Sequence, residues 1–204
     1  GTYKEKVVIP SWLQNVEFIG ESVENTIITY DDHANINKMG TFRTYTVKVE
    51  GNSITFKNLT IENNAARLGQ AVALHTEGDK LVFINCRILG NQDTIYTGVA
   101  DTRLYFVDCY IDGTTDFIFG PSTALFENCE IRSKTNSYIT AASTPKDIAV
   151  GYVFKNCRLT ADPGVDKVYL GRPWRPYAAT VFINCEMGKH IRPEGWHNWG
   201  NVEN

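Results

Sequence analysis

Apolar residues come along this chain in short dense runs bounded by polar residues, as in Val82-Phe83-Ile84, Leu104-Tyr105-Phe106-Val107 and Tyr152-Val153-Phe154. The runs are β-branched and aromatic, and they do not place apolar side chains at i, i+3, i+4 and i+7. The pattern therefore predicts strands rather than helices. One frame recurs through them: Phe, any residue, Asn or Asp, Cys or Leu, any residue, then an aliphatic side chain or Met. Copies begin at Phe56, Phe83, Phe106, Phe126, Phe154 and Phe182, at spacings of 27, 23, 20, 28 and 28 residues. A constant frame separated by loops of unequal length is the mark of a solenoid whose coil holds three short strands and three turns. The predicted fold is all-β, a parallel β-helix forming one domain over residues 1–204.

That frame changes how the rest of the composition reads. Five cysteines in 204 residues would suggest disulfides or a metal, but Cys86, Cys109, Cys129, Cys157 and Cys185 all occupy the same register. They are predicted to be a column of buried free thiols, small enough to stack beside the turn. The Asn or Asp before each suits a tight corner, where a short polar side chain can bond to backbone or to its counterpart one coil away. Asn58-Leu59-Thr60 matches a glycosylation sequon, yet Asn58 belongs to this corner column and is read as structural. Gly1-Thr2-Tyr3-Lys4-Glu5-Lys6-Val7 starts abruptly in strand-like sequence, and Trp196-His197-Asn198-Trp199-Gly200-Asn201 runs out without a covering segment. The solenoid is thus expected to be truncated at both ends.

A content of 43% hydrophobic and 21% charged residues fits a globular chain with a sizeable core. The formal net charge of -3, with scattered lysines and arginines, gives no field for nucleic acid. No apolar run approaches the roughly 18 to 20 residues that span a bilayer, so no membrane contact is expected. His33, His75, His190 and His197 form no H-x-x-x-H pair, and no metal or other cofactor is expected. The chain is expected to act as a monomer.

The repeat also serves as a ruler. Asp93 stands ten residues after Phe83, and Asp116 ten after Phe106. Equal offsets in consecutive coils imply one column, with backbones roughly 4.8 Å apart. Aligning Asp93-Thr94-Ile95-Tyr96 and Asp116-Phe117-Ile118-Phe119 with Ala71-Val72-Ala73-Leu74 sets Gln92 over Gln70, each one position before the aspartate column. If Val72, Thr94 and Phe117 point inward, strand alternation turns both aspartates outward. Stacked like charges are destabilising, so a purely structural role for the pair is hard to justify. Two coupled carboxyls keep one proton between them over a range of pH, which suits an acid beside a base or nucleophile. Amide donors next to them favour ester cleavage, which has an oxyanion to stabilise, over glycoside cleavage, which has none. Ser143-Thr144-Pro145-Lys146 fits S-x-x-K, but Pro145 argues against the helical turn such a pair needs.

Gly1-Thr2-Tyr3-Lys4-Glu5, Gly69-Gln70-Ala71-Val72-Ala73-Leu74, Gln92-Asp93-Thr94, Asp116-Phe117-Ile118-Phe119-Gly120 and Leu170-Gly171-Arg172-Pro173-Trp174 resemble, in order, the five signature blocks of the pectin methylesterases (pectinesterases). The resemblance implies a right-handed, single-stranded parallel β-helix that hydrolyses the C6 methyl ester of galacturonosyl units in pectin, releasing methanol without metal. It implies Asp116 as nucleophile, Asp93 as general acid and then base, and Gln70 and Gln92 as the oxyanion hole. By the same resemblance Arg172 orients Asp116 and Trp174 stacks on sugar, with Phe42 and Trp196 as further subsite aromatics. The family is usually exported, so a secreted or periplasmic origin is implied, with the signal outside this chain. Its usual first coil and helical cap, and its segment after the last Trp, have no counterpart here. Two other readings share the fold: a polygalacturonase or calcium-dependent pectate lyase, and a β-helix that binds pectin without turnover.

Overall fold

In the computed structural model, which describes residues 1–200, the chain winds into stacked coils whose strands form three parallel sheets. One sheet of eight strands runs from Thr2–Lys4 to Glu186–Met187, and one of seven from Val16–Ile19 to Thr180–Ile183. The third, which carries the candidate site, has strands Val7–Ile9, Val47–Val49, Leu74–Thr76, Ile95–Thr97, Ile118–Gly120, Tyr138–Ala142 and Tyr169–Gly171. All the sheet pairings are parallel, as a single chain coiling in one direction requires.

Each part of the recurring frame has a distinct structural task. Its phenylalanines point inward and stack ring on ring, with centroids 5.1, 4.6, 4.7, 4.5 and 4.5 Å apart from Phe56 to Phe182. The residue two positions on turns the corner in the left-handed region. Asn58, Asn85, Asp108, Asn128, Asn156 and Asn184 have φ between 47° and 55°, which Asn and Asp tolerate better than most side chains. At one corner the amides also join across coils, Asn85 Nδ2 donating to Asn58 Oδ1 at 2.9 Å. All five cysteines are free thiols, four buried and Cys185 half-buried. Cys109, Cys129, Cys157 and Cys185 each donate to the carbonyl oxygen of the phenylalanine one coil before, at 3.3 to 3.5 Å. The closing aliphatic of the frame forms a second inward column, Ile61, Ile88, Ile111, Ile131 and Leu159, in register across the eight-stranded sheet.

The phenylalanine column has one more rung than the frame reveals. Phe18 stacks on Phe56 at 5.1 Å, in a coil whose corner holds Gly20 instead of Asn. A Cβ at Gly20 would fall 2.3 Å from the Asn58 carbonyl oxygen, so the close approach of the two coils excludes any side chain there.

Candidate active site

The two aspartates lie two residues before adjacent strands of the third sheet, Ile95–Thr97 and Ile118–Gly120, and in one column. Asp93 N–H donates to Thr115 O at 3.1 Å, and Ile95 pairs with Ile118 two positions on. Both adopt left-handed backbone, φ 66° for Asp93 and 48° for Asp116, so each sits at a corner rather than in regular alternation. That corner lets Phe117 and Ile118, consecutive in sequence, both enter the core while Asp116 faces outward. The expected outward aim holds, but open solvation does not: Asp93 is only 8% exposed and Asp116 6%.

Their surroundings differ sharply. Arg172 meets Asp116 with a two-pronged fork, Nε donating to Oδ1 at 2.9 Å and Nη2 to Oδ2 at 2.6 Å. The guanidinium is itself clamped between two rings, 4.1 Å from the Tyr138 centroid and 3.7 Å from that of Trp199. Tyr138 stacks in turn on Tyr169 at 5.4 Å. Gly171 makes this placement feasible, because a Cβ there would lie 2.0 Å from Thr140 Oγ1. Asp93 has no side-chain hydrogen bond to any described residue. Burial pushes its carboxyl well above the ordinary carboxylate range; the neighbouring Asp116 adds to the rise and Arg172 opposes it. Burial raises Asp116 as well, against the hydrogen bonds and charge of Arg172. The fork and charge of Arg172 favour the ionised form of Asp116, whereas Asp93, without such a partner, is the more readily protonated of the two.

Gln70 and Gln92 line the same groove, and neither side-chain amide bonds to a described residue. Ala71 N–H donates to Gln92 O at 3.0 Å, the contact that sets Ala71 beside Asp93 and Gln70 beside Gln92. Further along, however, Leu74 rather than Ala73 pairs with Ile95. The extra residue is absorbed in a bulge where the N–H groups of Ala73 and Leu74 both donate to Thr94 O, at 2.9 and 3.1 Å. The bulge also corrects the inward aim expected for Val72. Thr94 and Phe117 are buried inside, whereas Val72 packs on the outer face with Phe119, Ala141, Tyr96 and Trp174. Behind Gln92, the backbone of Gly90 is gripped at both polar groups: its N–H donates to Asp112 Oδ1 at 3.0 Å and its carbonyl accepts from Lys134 Nζ at 2.6 Å.

The groove holds about 280 Å³ and is walled by Thr41, Phe42, Gln70, Gln92, Asp93, Asp116, Phe119, Ala141, Arg172, Trp174 and Trp199. Rings run along one side of it, with centroids 4.7 Å apart for Phe42 and Tyr96, 4.8 Å for Tyr96 and Phe119, and 5.8 Å for Phe119 and Trp174. Of the site residues expected from sequence, only Trp196 stands apart. It lines an adjoining cavity with Pro173, Pro176 and His197, 6.1 Å from the ring of Phe182. Trp199, three residues on, takes the place in the groove. Sequence reasoning also passed over Thr41, Tyr138 and Phe119; the ten-residue offset that finds both aspartates falls on Asn136 in the next coil, two residues short of Tyr138.

The outer sheet of this parallel β-helix thus bears a buried acid, an arginine-held carboxylate and a ring-lined open groove. The chain belongs to the pectinesterase family, whose model matches residues 1–204. It is 41% identical to Pectinesterase 31 of Arabidopsis thaliana over its whole length and 67% of that protein. Among solved structures, the pectin methylesterase from carrot superposes with a TM-score of 0.93 at 33% identity, covering 100% of this chain and 67% of that one. A pectin methylesterase in complex with a hexasaccharide gives 0.86 at 30% identity, covering 94% and 69%. Relatives named probable pectinesterase/pectinesterase inhibitor are spanned over only about 37% of their length.

Proposed function

We propose that this chain hydrolyses methyl esters of galacturonosyl units in pectin, releasing methanol, with Asp116 as nucleophile. The ionised Asp116 attacks the ester carbonyl carbon; Arg172 uses one lone pair on each oxygen, leaving another free to form the new bond. Negative charge gathers on the carbonyl oxygen, where the unpaired amides of Gln92 and Gln70 donate to it. Asp93 gives its proton to the departing methoxide, and methanol leaves a covalent acyl-aspartate behind. The deprotonated Asp93 then takes a proton from water, whose oxygen attacks the acyl carbon and frees Asp116 with a de-esterified sugar. The aromatic wall of Phe42, Phe119 and Trp174 gives the pyranose faces an apolar surface.

The observation that carries this reading is the asymmetry of the stacked pair: an arginine fork on one carboxyl and none on the other. Since pectin is a wall polymer, the same reading places the working protein outside the cell membrane. The test is methanol release from methylated homogalacturonan, measured beside the appearance of new reducing ends. Methanol without reducing ends is the expected result, abolished by Asp116→Ala in a variant whose circular dichroism matches the parent. New chain ends or unsaturated products would instead identify a depolymerase, and parent-level methanol release by Asp116→Ala would remove the nucleophile assignment.

A further inference from the structure

The segment that carries Gln92 and Asp93 crosses from strand Arg87–Leu89 of the eight-stranded sheet to strand Ile95–Thr97 of the third. At the end of each strand in the eight-stranded sheet, the residue seven places after the frame phenylalanine can pass its carbonyl to the next coil. Gly113 O accepts from Lys134 N–H at 2.8 Å, and Ser133 O from Asp162 N–H at 3.0 Å. Gly90 is the counterpart one coil earlier, and there the ladder slips by one residue. Thr114 N–H, whose place in the frame would bring it to Gly90, donates instead to Asn91 O at 2.9 Å. The buried Gly90 therefore loses its ladder partner two residues before Gln92.

Two charged side chains fill the gap. Asp112 Oδ1 accepts the Gly90 N–H at 3.0 Å, and Lys134 Nζ, reaching back over the intervening coil, donates to Gly90 O at 2.6 Å. The two groups stand 3.5 Å apart, with side chains only 14% and 23% exposed. Burial raises the Asp112 carboxyl, against the charge of Lys134 and the Gly90 N–H. A pair so enclosed adds little stability over neutral side chains of like volume, because desolvation offsets the attraction. What it does supply is direction: charge-assisted bonds aimed at both polar groups of one residue. Packing could not do the same, since a Cβ at Gly90 would fall 2.7 Å from Thr94 Oγ1. Asp93 is pinned separately, through its own N–H to Thr115 O at 3.1 Å. The side chain left to depend on Gly90 is that of Gln92.

We infer that Asp112 and Lys134 are positioning residues for ester cleavage: by holding Gly90 in the slipped ladder they set the reach and aim of the Gln92 amide. The inference rests on the reading of Gln92 as a donor to the oxyanion. Neither residue touches the substrate, and both act through Gln92, so their influence falls on the transition state rather than on substrate binding.

The test is a double-mutant cycle in steady-state methanol release from methylated homogalacturonan. Asp112→Asn combined with Lys134→Met removes both charges at nearly constant volume and strands neither. Its kcat should fall on the order of 10- to 100-fold, the scale of a displacement of about 1 Å, with KM within about twofold of the parent. Lys134→Arg, which keeps charge and donor, should restore most of the rate. In a Gln92→Ala background the same double change should cost less than about twofold, because the group it places is already gone. If circular dichroism shows the double variant unfolded, Asp112→Asn alone carries the same cycle, with a fall of about three- to tenfold expected. Parent-level kcat in a folded variant, a change confined to KM, or a loss that multiplies fully with Gln92→Ala would each overturn the inference. An active parent with Gln92→Ala at the parent rate would instead remove the oxyanion reading itself, and the inference with it.

Discussion

Asp93→Asn keeps nearly the same side-chain volume while deleting a carboxyl that burial and Asp116 hold well above its ordinary range. In the unfolded chain this group ionises near 3.8, whereas in the folded protein it keeps its proton to higher pH. Between those two values the folded state binds a proton that the unfolded state has released. Stability contributed by Asp93 is thus fully present below about pH 4 and declines as pH rises through the folded pKa, at about 1.4 kcal/mol per pH unit. Asparagine carries no such penalty. The variant should melt close to the parent near pH 4 and above it at pH 8, by about 1 to 4 kcal/mol, the range recovered when buried charge is replaced by neutral groups. For a chain of this size each kcal/mol is about 2 to 4 °C in Tm. Thermal melts of both proteins from pH 4 to pH 8 measure the gap, and methanol release should be about 10²- to 10⁴-fold slower in the variant. A Tm difference that stays constant with pH, or a variant less stable than the parent at pH 8, would show that Asp93 is not the strained member of the pair.

Gln92→Ala should lower kcat about 10²- to 10³-fold with KM nearly unchanged if its amide meets charge that develops only in the transition state, as steady-state methanol kinetics will show. Arg172→Lys gives up the 2.9 and 2.6 Å fork and the stacking between Tyr138 and Trp199. With less to oppose burial, the pKa of Asp116 rises, so the acid limb of the kcat/KM profile should move to higher pH. Phe126→Ala breaks a fully buried stack at its middle, between Phe106 and Phe154, and should cost about 3 to 5 kcal/mol in denaturant unfolding.

What the sequence exposes most clearly is whatever repeats. Phe, Asn, Cys and the closing aliphatic recur because each coil must place a ring on the ring below, turn in left-handed backbone and refill the same inner column. The common offset of Asp93 and Asp116 survives into the structure because each spacer between frame and aspartate has the same length. Features that break the repeat are hidden for the same reason. Phe18 escapes the frame because Gly20 replaces its corner residue, and the bulge at Ala73 and Leu74 turns Val72 outward without any change in apolar pattern. The part of the groove wall built by Thr41 and Phe42 belongs to a non-repeating excursion, where no neighbouring coil supplies a ruler. Trp196 and Trp199 are equally plausible in sequence, and only the path of the chain after Gly171 decides which ring meets Arg172.

The groove draws Gln70, Gln92, Asp93, Asp116, Ala141 and Arg172 from in or beside five consecutive strands of one sheet, Leu74–Thr76 through Tyr169–Gly171. In a solenoid each coil is held chiefly by the coils on either side, so stability is assembled from successive neighbour interfaces. Catalytic competence, in contrast, demands that all these interfaces be intact at once. Loosening of the coil that delivers Arg172 would release Asp116 from its fork while the phenylalanine stack elsewhere stayed in place. Turnover is thereby a more sensitive gauge of fraying than any spectroscopic average over the strands, and inactivation on heating should run ahead of the loss of β-structure.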